Sequence, residues 1–365
     1  MTATASPPRP ATGLRVLVSG YGGFLGSEIV RQLTARGNQV VGLGRGDYPH
    51  LAALDCQRIR GDICDLAAVR AAASEVDAVI HTAAIAGIWG PWERYQKINT
   101  HGTENVIKAC QELGIRVLVH CSSPSVTFDG DDQSGVDESV TYPDRWLCHY
   151  QHTKALAEQA VLQAHRPGKL HTTALRPHLI WGVEDPHLFP RLIQRAKQGR
   201  LRIIGGGKNI IDTVHVKNAA AAHLAALDAL AAEHAVIESD LQKSSDLQKT
   251  SDQAVKQETA GGRAFFITQD EPVACWEWIE RVLQLAGVRL PRGRVPLPLA
   301  WSAGHALEIA YRLGGLEKEP PMTRFLAAQL AKDHYFDITA AKRLLHYQPQ
   351  ITMAEGLAEL AAAWQ

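Results

Sequence analysis

The sequence predicts an α/β fold, a doubly wound parallel sheet followed by a smaller, mixed C-terminal lobe. Apolar runs of strand length alternate with amphipathic stretches through the first half, glycines close the first run, and the texture changes near residue 185. In chain order the runs are LRVLVSG (14–20), VVGLG (40–44), DAVIHTAA (77–84), RVLVHCSS (116–123) and TTALRPHLIWG (172–182). Continuous runs of this kind suit strands buried on both faces, and helices between them imply right-handed parallel crossovers. Apolar spacing places those helices near 24–37, 65–74, 95–113 and 145–165. After 185 come helical LFPRLIQRAKQG, the glycine turn IIGGGKN, a helix through AAAAHLAALDAL and the strand AFFITQ.

Composition bounds the rest. The 365 residues hold 38 basic and 38 acidic side chains, so the chain is formally neutral. At about 150 residues per domain this length suits two units with a sizeable core. Without a basic field, neither nucleic acid nor an anionic membrane is an expected partner. No run approaches the roughly 20 apolar residues of an integral membrane segment. The start, MTATASPPRPATG, has no apolar signal-like stretch, so residues 1–13 read as a disordered leader and the protein as cytoplasmic. Six scattered cysteines without a C-x-x-C pair read as reduced thiols. Sixteen histidines form neither H-E-x-x-H nor a Cys/His cluster, so no metal is expected. A decaying six-residue repeat, SDLQKS-SDLQKT-SDQAVK (239–256), marks a solvated insertion over about 233–261, helical or disordered.

Gly20-Tyr21-Gly22-Gly23-Phe24-Leu25-Gly26 joins the first strand to the first helix with the spacing G-x-x-G-x-x-G. Gly20 permits the tight turn, Gly23 lets backbone approach a pyrophosphate, and Gly26 allows close helix–sheet packing. The helix start, with Phe24 and Leu25, offers free N–H groups to the phosphates. In this strand–turn–helix setting the cluster predicts a dinucleotide and a Rossmann-type sheet over 14–184, leaving 185–365 as a substrate lobe from which some elements return to the sheet. The second strand ends in GLGRGDYP, with Arg45 where an NAD site carries an acid, although Asp47 follows two residues later. A guanidinium suits a 2′-phosphate, so NADPH is favoured over NADH. Asp62, in RGDI, ends the third strand within reach of the adenine.

The second constellation is Tyr150-Gln151-His152-Thr153-Lys154. At i and i+4, Tyr150 and Lys154 share one helix face. There the ammonium can hold the nicotinamide ribose and lower the phenol below its reference of about 10, making a proton relay. Ser122 and Ser123 end the fifth strand at its carboxyl edge, where open α/β sheets bind ligands.

These elements together resemble the extended short-chain dehydrogenase/reductase family, from about residue 14 to the end. The resemblance implies a catalytic set of Ser123, Tyr150 and Lys154, with Ser122 as the one-residue alternative. It implies cofactor contacts at Gly20, Gly23, Phe24, Leu25, Gly26, Arg45, Asp62, Ile63, Ala83, Tyr150, Lys154 and Pro177, and a structural asparagine at Asn99. Arg176-Pro177 with Ile180-Trp181-Gly182 is similar to the family's strand end beside the nicotinamide. Dehydratases of the family place acids after the catalytic serine, where this chain has Pro124 and Ser125. Nucleotide-sugar epimerases place an arginine before the aspartate of G-x-G-x-x-x-R-D-F, where this chain has Ile211 before Asp212. Losing that cation argues against a sugar diphosphate and for an apolar substrate.

GRLRIIGGGKNIIDTVHVKNAAAAHLAAL resembles the 3β-hydroxysteroid and sterol-4α-carboxylate dehydrogenase branch. SSPSVTFDG, HYQHTKALAEQAVL, LRPHLIWG and FPRLIQRAKQGRLRIIG resemble the 2-alkyl-3-oxoalkanoate reductases of bacterial olefin biosynthesis. The resemblance implies NADPH-dependent reduction of a long-chain 2-alkyl-3-oxo (β-keto) acid, with a sterol or 3β-hydroxysteroid dehydrogenase as the alternative. A nucleotide-sugar epimerase and a non-catalytic dinucleotide sensor are weaker readings. A homodimer or a complex with a pathway enzyme is compatible with the sequence. Trp89, Trp92, Trp181 and the segment 298–313 are candidate groove walls, and the counter-charge for a carboxylate is unassigned among His178, Arg191 and Lys208.

Overall fold

The computed structural model describes residues 8, 10–246, 258–289 and 293–365. Seven strands form one parallel sheet in the order Ala264–Ile267, His171–Pro177, Val117–Cys121, Ala78–His81, Arg15–Ser19, Gln39–Gly44, Cys56–Arg60. Numbered along the chain from the Cys56 edge, that order is 3-2-1-4-5-6-7, a doubly wound sheet reversing beside its first strand. The central strands Ala78–His81 and His171–Pro177 are buried at every position, which is why their sequences run apolar instead of alternating.

Helices cover both faces. Phe24–Ala35 begins directly after the glycine turn, with Gly23 at its N-cap. Leu66–Ala73 is capped by Asp65, whose carboxylate accepts from Ala67 N at 2.9 Å. Gly102–Leu113 ends on Gly114 in the left-handed region at φ 70°, where glycine carries no steric penalty. The segment expected as one helix over 95–113 starts earlier, at Trp92, and passes through a π-helical turn at Gln96–His101. Asn99 lies in that turn. It binds Ile85 by both backbone groups (Oδ1 to N 2.8 Å, Nδ2 to O 3.2 Å) and reaches Thr153 Oγ1 at 3.3 Å. One side chain thus ties the loop after Ala78–His81 to the helix His149–Gln163.

Two elements from beyond residue 185 lie in the sheet layers: the edge strand Ala264–Ile267 and the helix Val216–Asp246, which packs on Phe24–Ala35 and the central strands. The stretch Val216–Asp240 is long and apolar enough to cross a membrane by length and composition, a stretch the reading of apolar runs overlooked. Its alanines and leucines instead share a buried cluster with the sheet, including Leu224, Leu227 and Leu230. The helix also contains the first residues of the six-residue repeat; repeat positions 247–256 lie outside the described residues. Of the expected leader, Ala11 N is hydrogen-bonded to Asp228 on this helix at 2.8 Å, while residues 1–7 and 9 lie outside the described ones.

The remaining segments form a lobe over the carboxyl edge of the sheet. It holds a four-stranded sheet in the order Val273–Ala274, Ile210–Ile211, His334–Phe336, Gln133–Val136, whose last strand comes from the first half of the chain. Trp181, Phe189, Trp276 and Trp278 make its core. Trp181 is fully buried there, so it is packing and not a groove wall.

Candidate active site

The glycine turn is built by close contacts. Gly20 has φ 75°, and a Cβ there would stand 2.8 Å from the Ala83 backbone. A Cβ on Gly26 would meet Gly20 O at 2.2 Å, which is the helix–turn packing expected from the spacing. Gly22 has a cause the motif does not contain: the Tyr48 ring occupies the space of its Cβ. Tyr48 also stacks edge-on against Tyr21 at 4.9 Å, and the aromatic in GDYP was its only sequence signal.

Two adjoining cavities follow from this turn. One, of about 440 Å³, is lined by Gly20, Gly23, Phe24, Leu25, Gly26, Ser123, Tyr150, Lys154 and Pro177 among others. The second, of about 270 Å³, takes in Arg45, Tyr48, Asp62, Ile63 and Ala83 and shares Gly20, Gly23, Thr82 and Ala84 with the first. Every residue singled out in the sequence for cofactor or catalysis therefore borders one groove along the carboxyl edge of the sheet. Between its ends, the helix Phe24–Ala35 presents an N-terminus with no side-chain cap and no acid in its first turn. Free N–H groups above a glycine floor fit the pyrophosphate of a dinucleotide.

At the far end of that groove Arg45 is exposed and lines the cavity, whereas Asp47 does not line it. Burial alone would raise the Asp62 carboxyl; a 2.9 Å hydrogen bond from Cys64 N, with the charges of Arg45 and Lys97, holds it below its usual value.

At the near end Ser123 and Ser122 both line the cleft, but differently. Ser122 is buried, with its backbone N–H on Leu175 O at 2.6 Å. Ser123 caps a short turn, its Oγ 2.9 Å from Ser125 Oγ, and its hydroxyl is the one that pulls the Tyr150 phenol downward. Ser125, which the sequence reading treats only as a non-acid, thus stands beside the expected catalytic serine.

Lys154 departs from expectation. Its Nζ donates to Cys121 O at 2.5 Å and lies 3.2 Å from His120 Nε2. Burial depresses its pKa. The sequence reading has this ammonium lower the Tyr150 phenol; in the structure the sign is reversed, because burial is the largest influence and raises the phenol above 10, against a smaller pull from the Ser123 hydroxyl. His120 is itself part of a buried layer that the sequence reading missed. It stands in register with His81 on the neighbouring strand, ring centres 5.2 Å apart. His81 bonds Ser19 Oγ at 2.5 Å and Thr103 Oγ1 at 2.9 Å. Burial, with the Lys154 charge, pushes His81 down to about 3 and His120 well below 6.5, so both rings are neutral near pH 7.

Behind this layer Arg176 makes a two-pronged pair with buried Glu158 (Nε–Oε2 3.0 Å, Nη2–Oε1 2.6 Å), and Tyr142 donates to the same carboxylate at 2.7 Å. Burial would raise Glu158, but Arg176 outweighs it and holds the carboxyl below its usual range. Arg176 is thus committed to Glu158, while its neighbour Pro177 reaches the cleft.

The cleft opens on an apolar chamber of about 270 Å³ whose wall includes Ile211, the residue at the epimerase arginine position. Ile211 is buried between Val273 and His334 on neighbouring strands. Of the remaining groove candidates, Trp89 and the helix Leu297–Leu313 line a further chamber, and Trp92 instead packs against His149 and His152. Of the three counter-charge candidates, His178 is buried in the cleft and held neutral, Lys208 is exposed outside these cavities, and Arg191 lines the cleft while paired with Glu319.

Comparison with known proteins agrees with this geometry. The profile of the 3-beta hydroxysteroid dehydrogenase/isomerase family matches residues 17–299. The 2-alkyl-3-oxoalkanoate reductase of Shewanella oneidensis is 41% identical over 95% of this chain and 85% of its own length. The decarboxylating sterol-4-alpha-carboxylate 3-dehydrogenase of Bos taurus is 34% identical over 94% of this chain and 90% of its own. Among solved structures, a UDP-glucuronic acid 4-epimerase from Bacillus cereus in complex with NAD superposes with a TM-score of 0.68, covering 96% of this chain and 100% of that one at 20% identity, a likeness of fold. With its groove, its serine, tyrosine and lysine, and these relatives, the chain belongs to the 3-beta hydroxysteroid dehydrogenase/isomerase family and is an oxidoreductase of the CH–OH/C=O type that uses a nicotinamide dinucleotide.

Proposed function

We propose that this protein is an NADPH-dependent ketoreductase that converts the 3-oxo group of a long-chain 2-alkyl-3-oxoalkanoic acid into the 3-hydroxy acid. The observation that carries this reading is the direct opening of the Ser123/Tyr150/Lys154 cleft into an apolar chamber walled by Ile211. The relative at 41% identity bears the name of that activity.

When bound, the dinucleotide supplies the hydride that reaches the carbonyl carbon. The residues of the chain do the rest. Ser123 donates a hydrogen bond to the carbonyl oxygen as negative charge grows there. Tyr150 hands its phenolic proton to that oxygen, so carbonyl, hydride and proton together make the alcohol. Burial keeps the phenol protonated near neutral pH, the form that donates and the one reduction requires. Lys154, held by Cys121 O and His120 one helical turn from Tyr150, returns a proton toward Tyr150. The N-terminus of Phe24–Ala35 would hold the pyrophosphate of the dinucleotide, Asp62 and Ile63 would border its adenine, and Arg45 would pair with a 2′-phosphate.

The sterol dehydrogenase relative supports a second reading, oxidation of a hydroxysteroid in the same cleft. The test is optical. Purified protein is mixed with NADPH and, in parallel, freshly prepared 2-alkyl-3-oxo acid, 3-oxosteroid or UDP-glucose. Loss of reduced-nicotinamide absorbance with the keto acid is expected; turnover of the steroid alone would replace the first reading by the second.

A further inference from the structure

The apolar space beside the catalytic residues is divided. Ile88, in the loop after strand Ala78–His81, lines the catalytic cleft and two further chambers at once. The first, already described, has walls of Leu179, Leu188, Leu192, Ile211, Trp278 and Leu330. The second, of about 450 Å³, runs beneath helix Leu297–Leu313 between Trp89, Leu147, Tyr311 and Leu316. Its wall is fastened by Trp89, whose Nε1 donates to Leu316 O at 2.9 Å and whose ring meets Tyr311 edge-on at 6.2 Å. Its floor is Cys148, two positions before Tyr150, and Ile88, Leu147 and Tyr150 pack on one buried cluster. Tyr150 and Ile88 thus line the same cleft, and Ile88 also faces both chambers.

Several polar groups lining the chambers are already engaged by the protein itself. Glu308, in the second, is bound by Arg324 through its backbone N (2.7 Å), Nε (2.9 Å) and Nη2 (2.8 Å). His149 Nδ1 is bonded to Gly90 O at 3.0 Å. In the first chamber Arg191 and Arg195 share Glu319. Arg312, over the Trp89 ring at 5.7 Å, and Glu317 add charge at the exposed side of the second chamber, and the rest of the lining on each side is largely hydrocarbon, attractive to apolar groups.

We propose that the site is a fork for a two-chain substrate, with Ile88 as the divider and one alkyl chain in each chamber. The inference rests on the ketoreductase reading and deepens it, since a 2-alkyl-3-oxo acid has two chains that diverge from the carbons next to and at the reacting carbonyl. A fused-ring sterol is one rigid body and can enter only one arm. The two arms thereby become separate determinants of chain length. Leu192 controls the first, and Leu316, half-exposed at the rim, controls the second.

The test uses binding, so it does not depend on turnover. Stable 2-alkyl-3-hydroxy acids with a long 2-alkyl and short main chain, the reverse, or both long are titrated calorimetrically into the full chain with NADPH, a reduced cofactor that cannot oxidise them. Leu192→Trp is expected to weaken binding about tenfold or more for acids long in one chain and within about twofold for the other; Leu316→Trp is expected to do the opposite. Leu192→Phe, a smaller change, repeats the first arm, and unchanged thermal midpoints establish folding. If both positions penalise the same chain, or neither changes the ratio between chains, the fork is wrong. Absence of NADPH oxidation with fresh keto acid, beside binding ratios that still split, would overturn the ketoreductase reading and leave the fork standing.

Discussion

The cofactor half and the substrate half of this molecule are built on opposite plans. The groove for the dinucleotide comes from short stretches: seven residues of glycine turn, an i, i+4 pair on one helix, and strand ends that the sheet sets side by side. The apolar fork comes from positions 88, 179–192, 211, 278 and 311–330, which meet only because the lobe folds over the sheet. Polar chemistry is thus concentrated where the backbone is most constrained, and specificity where side chains from distant segments converge. A change in the first half is expected to act on rate or cofactor choice, and a change in the second on which substrate is accepted.

That contrast breaks most readily at Tyr150. Tyr150→Phe removes the proton donor and is expected to lower kcat/KM by about 10²–10⁴-fold with little change in NADPH affinity. A rate within about threefold of the unaltered protein would remove Tyr150 from the chemistry. Next comes the buried pair behind the cleft. Glu158→Gln leaves the Arg176 guanidinium buried without its countercharge, and a loss of about 3–5 kcal/mol is expected in urea unfolding. A loss below about 1 kcal/mol would show that water reaches Arg176. At the far end of the groove, Arg45→Asp is expected to shift the ratio of NADPH to NADH kcat/KM by about 10–100-fold toward NADH. An unmoved ratio would mean that Arg45 does not read the 2′-phosphate.

The smallest effect concerns pH. His81 in the native protein takes a proton only near pH 3, whereas the unfolded chain does so near 6.5. Between those values the unfolded state binds more protons, so stability falls as pH falls, by at most about 1.4 kcal/mol per unit for this group. His81→Asn is expected to lessen, by this one group's share, the dependence of the urea midpoint between pH 7 and pH 5, the other buried histidines such as His120 and His178 keeping theirs. An unchanged slope would mean that His81 is already charged in the native state.

Sequence reading reached the two halves unequally. The strands, the glycine turn and the Tyr150/Lys154 pair were legible because each signal is a spacing along the chain, and further groove residues such as Ile63, Ala83 and Pro177 came from the family resemblance. Tyr48 was hidden because its role is to fill the space above Gly22, and nothing in GDYP states which backbone it will face. His120 was hidden for a related reason. Its partner Lys154 lies on the covering helix, and its neighbour His81 lies on a strand whose register only the folded sheet sets. The Tyr150 pKa was misjudged in sign because the i, i+4 spacing reports a shared helix face but not how deeply that face is buried.

From sequence alone came the doubly wound α/β class and the dinucleotide groove, carried by local spacing, and, through the family resemblance, the loss of a sugar-binding cation at Ile211. Tertiary structure alone decided which way Lys154 points, why Glu158 and Arg176 are committed to each other, and that the apolar space divides at Ile88. Periodicity and turn chemistry act over a few residues and survive in the linear text. Desolvation and cavity shape depend on which distant surfaces close against each other, and those exist only once the chain has folded.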